Sequence, residues 1–232
     1  MSRYSNSSGI VTWRQRQVNG DLIVHLLTPE GQLRAVARRR SRATPPPIDL
    51  FQHVAVQIYR RPGEELGLLV QAQLEGALPT LAEPGRYPYA HLLTELADRL
   101  FVQGERAEAG YTLYAAALRG IAARPDARWV ALVMAFKLLQ GAGFLLQLRC
   151  SCCGSKEVVA LAGLEPRCAA CRGGAGLLAE GSREALQAMA AKTVRQLMEA
   201  PSQPQAALWR FLELLVLREV GPLRSLQLLP AQ

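Results

Sequence analysis

Every cysteine of the chain lies in one short stretch, CSCCGSKEVVALAGLEPRCAAC, from Cys150 to Cys171. Cys150-x2-Cys153, a fourteen-residue gap and Cys168-x2-Cys171 together reproduce the spacing of a four-thiolate zinc site. Each CxxC can turn two sulfurs toward one centre about 2.3 Å away, and two such turns complete a tetrahedron. Gly154 after the first pair and Arg172-Gly173-Gly174 after the second leave the backbone room to turn. Four sulfurs leave no open position for a substrate water, so the expected ion is one structural Zn2+ that holds a loop in shape. Cys152 has no partner at the right offset and is the spare thiol. Iron–sulfur ligation is the less common use of this gap. A redox use would call for a thioredoxin-like strand–helix setting, and a reducing cytosol argues against structural disulfides.

The surroundings of that loop read as helical, and the chain before it reads as strands. Gly9–Gln17, Asp21–Thr28, Gln32–Arg38, Phe51–Arg60 and Leu66–Leu74 are short runs rich in Val, Ile, Leu and aromatics. Asn19-Gly20 signals a two-residue hairpin, Thr28–Gln32 a second turn, and the prolines of Thr44–Leu50 cannot sit inside a sheet. Five antiparallel strands suit a small closed barrel, either an OB-fold or an SH3-like barrel. From Ala90 the period becomes helical: Ala90–Gln103, Ala107–Ala123, Asp126–Gln140, Ser182–Met198 with Ser182 as N-cap, and Pro204–Val220 stopped by Gly221-Pro222. The expected architecture is therefore α+β. Residues 1–79 form a five-stranded barrel, and residues 80–232 a helical domain interrupted by a four-cysteine zinc knuckle at 148–176.

Charge points to a partner. The formal net charge is +8, and residues 1–61 alone hold ten arginines against Asp21, Glu30 and Asp49. Such concentration, with Ala37–Arg42 reading ARRRSR, favours a polyanion over a merely solvated face. Alternation along Gly31–Arg40 puts Leu33, Ala35 and Ala37 on one side and Arg34, Val36, Arg38 and Arg40 on the other; Arg14 and Arg16 share a face of their own strand. Guanidinium forks suit phosphates. Trp13, Phe51 and Tyr59 could stack bases, although Trp13, opposite Arg14, is expected in the barrel core. His25, His53 and His91 have no nucleophile or carboxylate at a recognisable offset, and the chain carries no Walker, HExxH or GxSxG motif, so an enzyme is the weaker class. The start has no unbroken apolar segment of a secretory signal and no stretch reaches the length of a membrane span, which places the expected chain in the cytoplasm.

Taken together, SGIVTWRQRQVNGDLIVHLLTPEGQLRAVARRR, LFQHVAVQIY, LEGALPTLAEPGRYPYAHLLTELADRLF, WVALVMAFKLL and the paired CxxC resemble the bacterial recombination mediator RecO, most closely the zinc-containing type of the Deinococcus group. The resemblance spans essentially the whole chain, with Gly20–Leu33 its more family-specific part. It implies an N-terminal OB-fold and a non-enzymatic DNA repair protein, cytoplasmic and nucleoid-associated. Such a protein binds single- and double-stranded DNA, anneals complementary strands and associates with RecR. With RecR it helps load RecA where single-strand-binding protein (SSB) coats the DNA. Carried onto this chain, DNA contacts fall on Arg14, Arg16, Arg34, Arg38, Arg39 and Arg40, then on Lys192 and Arg195 of the helix after the knuckle. Where many relatives have a glycine-containing basic loop after the third strand, this chain has RRRSRATPPP. The competing classes are a zinc-ribbon nucleic-acid-binding module of transcription or RNA processing, and a thiol oxidoreductase.

Overall fold

The protein is described here by a computed structural model covering residues 3–38, 48–61, 63–144, 148–178, 181–199 and 205–229. Strands β1 (Tyr4–Arg16), β2 (Leu22–Thr28), β3 (Gly31–Ala37), β4 (His53–Tyr59) and β5 (Gly67–Gly76) close into a barrel in the order β1-β2-β3-β5-β4. The long β1 serves both walls, pairing β4 through Tyr4–Ile10 and β2 through Ile10–Arg16. A short parallel contact, Ala35 with Gly67 and Val36 with Leu68, shuts the barrel between β3 and β5. This is the OB-fold arrangement, which resolves the choice left open by strand count. The β1–β2 connection is a wider loop than a two-residue hairpin. Only Gly20 takes positive φ (87°), while Val18 and Asn19 form the turn before it, because a glycine in the left-handed region after a turn re-aligns the strands.

Period-two alternation in β2 and β4 sends Leu22, Val24, Leu26, Val54, Val56 and Ile58 inward, where they pack with Val11, Ala35, Ala37, Ile48 and Leu69. Helices α1 (Tyr87–Leu100), α2 (Glu108–Ala123) and α3 (Ala127–Gly141) follow. Asp126 caps α3 by accepting from the Trp129 amide at 2.8 Å. Helix α3 is apolar over most of its circumference and buries eleven of its fifteen residues, leaving Arg128, Lys137 and Gln140 partly exposed. A truncation such as Leu132→Ala at its centre would cost about 2–5 kcal/mol. The knuckle strands β6 (Val158–Ala162), β7 (Glu165–Cys168) and β8 (Gly176–Leu177) form a separate small sheet between α3 and the C-terminal helices. No described helix is long and apolar enough to cross a membrane. The barrel and the helices share a core: Ile10 and Leu27, on the outer side of the barrel, belong to the helical cluster.

Two helical expectations change. Ser182–Met198 is not one helix but α4 (Ser182–Ala191) and α5 (Val194–Glu199), with Lys192 extended between them (φ −85°, ψ 152°). The break is a capping box, Thr193-x-x-Gln196: the Thr193 amide donates to Gln196 Oε1 at 2.9 Å, and the Gln196 amide faces Thr193 Oγ1 at 3.4 Å. Nor does Ser182 cap α4; Gly181 in the left-handed region does, and Ser182 is the first helical residue with a buried hydroxyl. The last helix, α6 (Gln205–Glu219), lies where the period placed it.

Candidate metal centre and nucleic-acid interface

The two CxxC turns meet as their spacing requires. The first folds tightly, with the Cys150 amide donating to Ser155 O and the Gly154 amide to Cys150 O, both at 2.8 Å; Gly154 has φ 76°, which a side chain would resist. The second turn closes with the Cys171 amide donating to Cys168 O at 3.1 Å. The sulfurs of Cys150, Cys153, Cys168 and Cys171 all lie within 4.8 Å of one another, and Cys153 and Cys168 are 3.6 Å apart. A tetrahedral ion with bonds of about 2.3 Å needs sulfurs about 3.8 Å apart, so the donor set fits a thiophilic cation. Four neighbouring thiols cannot all ionise without one. Amides of Cys168 and Cys153 pull the Cys150 thiol down to about 6, while contact with the Cys168 and Cys153 sulfurs pushes Cys171 up to about 12. Cys152 stays outside the cluster. It is exposed, and its sulfur accepts from the Arg167 guanidinium, which also pairs with Glu165.

The arginines divide into two groups because β1 is bulged. Val11 pairs Leu26 and Trp13 pairs His25, so Thr12 is the extra residue and alternation reverses after it. Trp13 therefore lies outside the barrel, half-buried and stacked on His25 (centroids 4.6 Å apart, planes at 26°), not in the core where unbroken alternation would put it. Arg14 and Arg16 come into register with the inward row, opposite Val24 and Leu22. Both are exposed at the open end of the barrel, and Arg14 is tethered by Asp49 at 3.1 Å and by Ile48 O at 3.2 Å. Arg34 occupies the outer row Trp13–His25–Arg34 and donates to Gln32 Oε1 at 2.9 Å. Arg38 is exposed just past β3, at the same end of the sheet as Arg16, since Arg16, Leu22 and Ala37 share a row. Arg39 and Arg40 lie outside the described residues. Lys192 and Arg195 do not share one helix face: Lys192 ends α4, and Arg195 on α5 pairs with Glu199 at 3.0 Å on the exposed surface.

A carboxylate missed from the sequence locks this wall to the helices. Asp98 of α1 lies 3.0 Å from His25 Nδ1, accepts from Thr12 Oγ1 at 2.7 Å, and accepts from Gln32 Nε2 at 2.9 Å. His53 also has company: Ser8 Oγ and Tyr111 Oη each lie 3.0 Å from Nε2, and Glu75 lies 3.4 Å from Nδ1. That set superficially suggests a hydrolase triad. Ser8, however, donates straight to Glu75 at 2.5 Å, so the imidazole is not positioned as its base. His91 sits beside Tyr87 with ring centroids 5.6 Å apart.

Residues 81–227 match the family model described as Recombination protein O C terminal. The chain belongs to the recombination protein O family. A relative named DNA repair protein RecO, from Symbiobacterium thermophilum, is 37% identical over 165 residues, which cover 66% of this chain and 62% of that protein. The match to the RecO C-terminal region takes in the helices, the knuckle and all four clustered cysteines, which makes the cysteine cluster part of the family-matched region and not an appendage to it.

Proposed function

We propose that this RecO-family chain is a DNA repair protein that binds single- and double-stranded DNA without catalysing a reaction on it, and anneals complementary strands. The observation that carries this reading is the concentration of basic charge, ten arginines against three acidic residues in 1–61, on an OB barrel. The exposed Arg14, Arg16 and Arg38 at the barrel mouth and Arg34 on its outer wall supply the phosphate contacts, with Arg39, Arg40, Lys192 and Arg195 as further contributors. Residues 1–79 serve as the DNA-binding domain and 80–232 as the helical domain. The four clustered thiolates hold one structural Zn2+, which ties the knuckle 148–176 together and takes no part in chemistry. The family relationship supports the remaining partners: RecR, SSB-coated single strands and the loading of RecA, in the cytoplasm at the nucleoid.

The test is an annealing assay on complementary strands coated with SSB. Acceleration that falls steeply with salt supports the reading, because phosphate contacts release counterions. No acceleration, or binding confined to one sequence or to RNA, would replace it with the zinc-ribbon alternative.

A further inference from the structure

Beside Arg34 and Arg38, across the β3–β5 pairing, the outer face of the barrel changes character. The first half of β1, with β4 and β5, forms a wall whose outer face carries three cross-strand rows. These are Tyr4–Tyr59–Leu68, Asn6–Gln57–Gln71 and Ser8–Ala55–Gln73. A fifth of the chain is charged, yet these nine positions hold no charged side chain. Tyr4 and Tyr59 pack ring to ring, with centroids 5.2 Å apart and planes at 58°, and Tyr4 is 55% exposed. Gln57 Nε2 donates to Asn6 Oδ1 at 3.2 Å, which fixes the amide row below the rings. Charge gathers only at the margins. Arg3 donates to the Tyr59 hydroxyl at 3.4 Å, and Arg3 and Arg61 together lower the pKa of that phenol. Arg61 is loosely paired with Glu64 at 4.0 Å, and at the far margin Glu75 is engaged by Ser8 and His53.

An exposed ring packed on a half-buried one, flanked by guanidinium groups on an otherwise uncharged sheet face, supplies the elements from which sequence-neutral single-strand sites are built. Rings stack bases, arginines take the backbone, and side-chain amides can meet base edges. We propose that this face, centred on Tyr4 and Tyr59, is a base-stacking platform for single-stranded nucleic acid, bordered by the arginines of β3. Because Leu68 pairs Val36, the row Tyr4–Tyr59–Leu68 runs on to Val36 of β3, which lies between Arg34 and Arg38 on the same outer face, so the rings and these arginines border one another and can engage one continuous strand. The inference rests on the DNA-binding reading above and deepens it: the arginines hold phosphates while the adjoining wall stacks splayed bases.

The test compares the full-length protein on a fluorescein-labelled oligothymidylate and on an abasic oligomer of equal length and charge. Wild type should bind the oligothymidylate more tightly. Tyr4→Ala with Tyr59→Ala should lose about tenfold on oligothymidylate, leave the abasic affinity nearly unchanged and keep the salt slope. Tyr4→Phe with Tyr59→Phe, which retains the rings, should bind as wild type, and Tyr4→Ala alone gives a readout at an exposed position if Tyr59 proves needed for folding. Equal wild-type affinity for the two probes, or a base preference that survives Tyr4→Ala and is lost in Trp13→Ala, overturns the platform but leaves the DNA-binding reading standing. Failure of wild type to bind either probe overturns both.

Discussion

Asp98→Ala removes three interactions from the junction between the barrel and α1 in a single step. Asp98 Oδ1 accepts from Thr12 at 2.7 Å and from Gln32 at 2.9 Å, and lies 3.0 Å from His25 Nδ1. The His25 and Asp98 side chains are only 15% and 13% exposed, and Thr12 and Gln32 are buried, so water cannot fully replace the lost carboxylate. A buried donor left without its acceptor costs about 1–3 kcal/mol. The three partners touch one another's neighbourhood and do not add, which sets the expected loss at about 3 kcal/mol. In a chain of this length that lowers Tm by about 6–12 °C. Asp98→Asn keeps an oxygen for Thr12 and Gln32 and alters only the Oδ2 side, 3.2 Å from His25, so it should cost about 1 kcal/mol. Urea denaturation followed by tryptophan fluorescence reads both variants, and Trp13, stacked on His25, reports the site directly. Because Gln32 also holds Arg34 at 2.9 Å, the alanine variant should loosen DNA binding as well. A stability change within about 0.5 kcal/mol for Asp98→Ala, the range of an ordinary surface substitution, would refute the argument.

Elemental analysis should find one zinc per chain, lost in Cys153→Ser with Cys171→Ser and retained in Cys152→Ser; because thiolates bind the ion, loading should release protons and weaken as pH falls. Arg34→Glu with Arg38→Glu should weaken binding to all sequences alike and flatten the salt slope by about 0.7 per lost single-strand contact, with Tm nearly unchanged. Glu95 accepts from the Arg224 and Ser225 amides at 3.1 and 2.8 Å, and although burial raises its pKa, these bonds bring it below the ordinary value. Glu95→Gln should therefore cost about 1–2 kcal/mol at pH 7. Since the folded pKa is the lower one, that advantage is complete above the ordinary glutamate pKa of about 4.3 and fades as pH falls through the folded value, which melts from pH 3 to pH 7 would show.

Local patterns carried much of this structure, and long-range ones did not. The alternation of β2 and β4 and the paired CxxC are set by residues a few positions apart, so strands and sulfurs fell close to their expected places. Trp13 and Arg14 did not, because a single extra residue, Thr12, reverses inside and outside for the rest of the strand, and nothing in the pattern of β1 announces it. The partnership of His25 with Asp98 spans 73 residues and exists only once α1 crosses the barrel. The break after α4 was legible: Thr193 and Gln196 form the Ser/Thr-x-x-Glu/Gln box, overshadowed by an apolar period that continues across it.

The shared core has a consequence for synthesis. Ile10 and Leu27 face outward from the barrel and are covered by helices that follow it in the chain. A ribosome completes β5 at Gly76 and reaches the end of α3 at Gly141 about 3–13 s later, at ordinary elongation rates. During that interval the newly made barrel presents an apolar flank and an arginine-rich end together, in a cell crowded with RNA. The nascent chain is then at its stickiest, and its protection comes from the helices still to be translated.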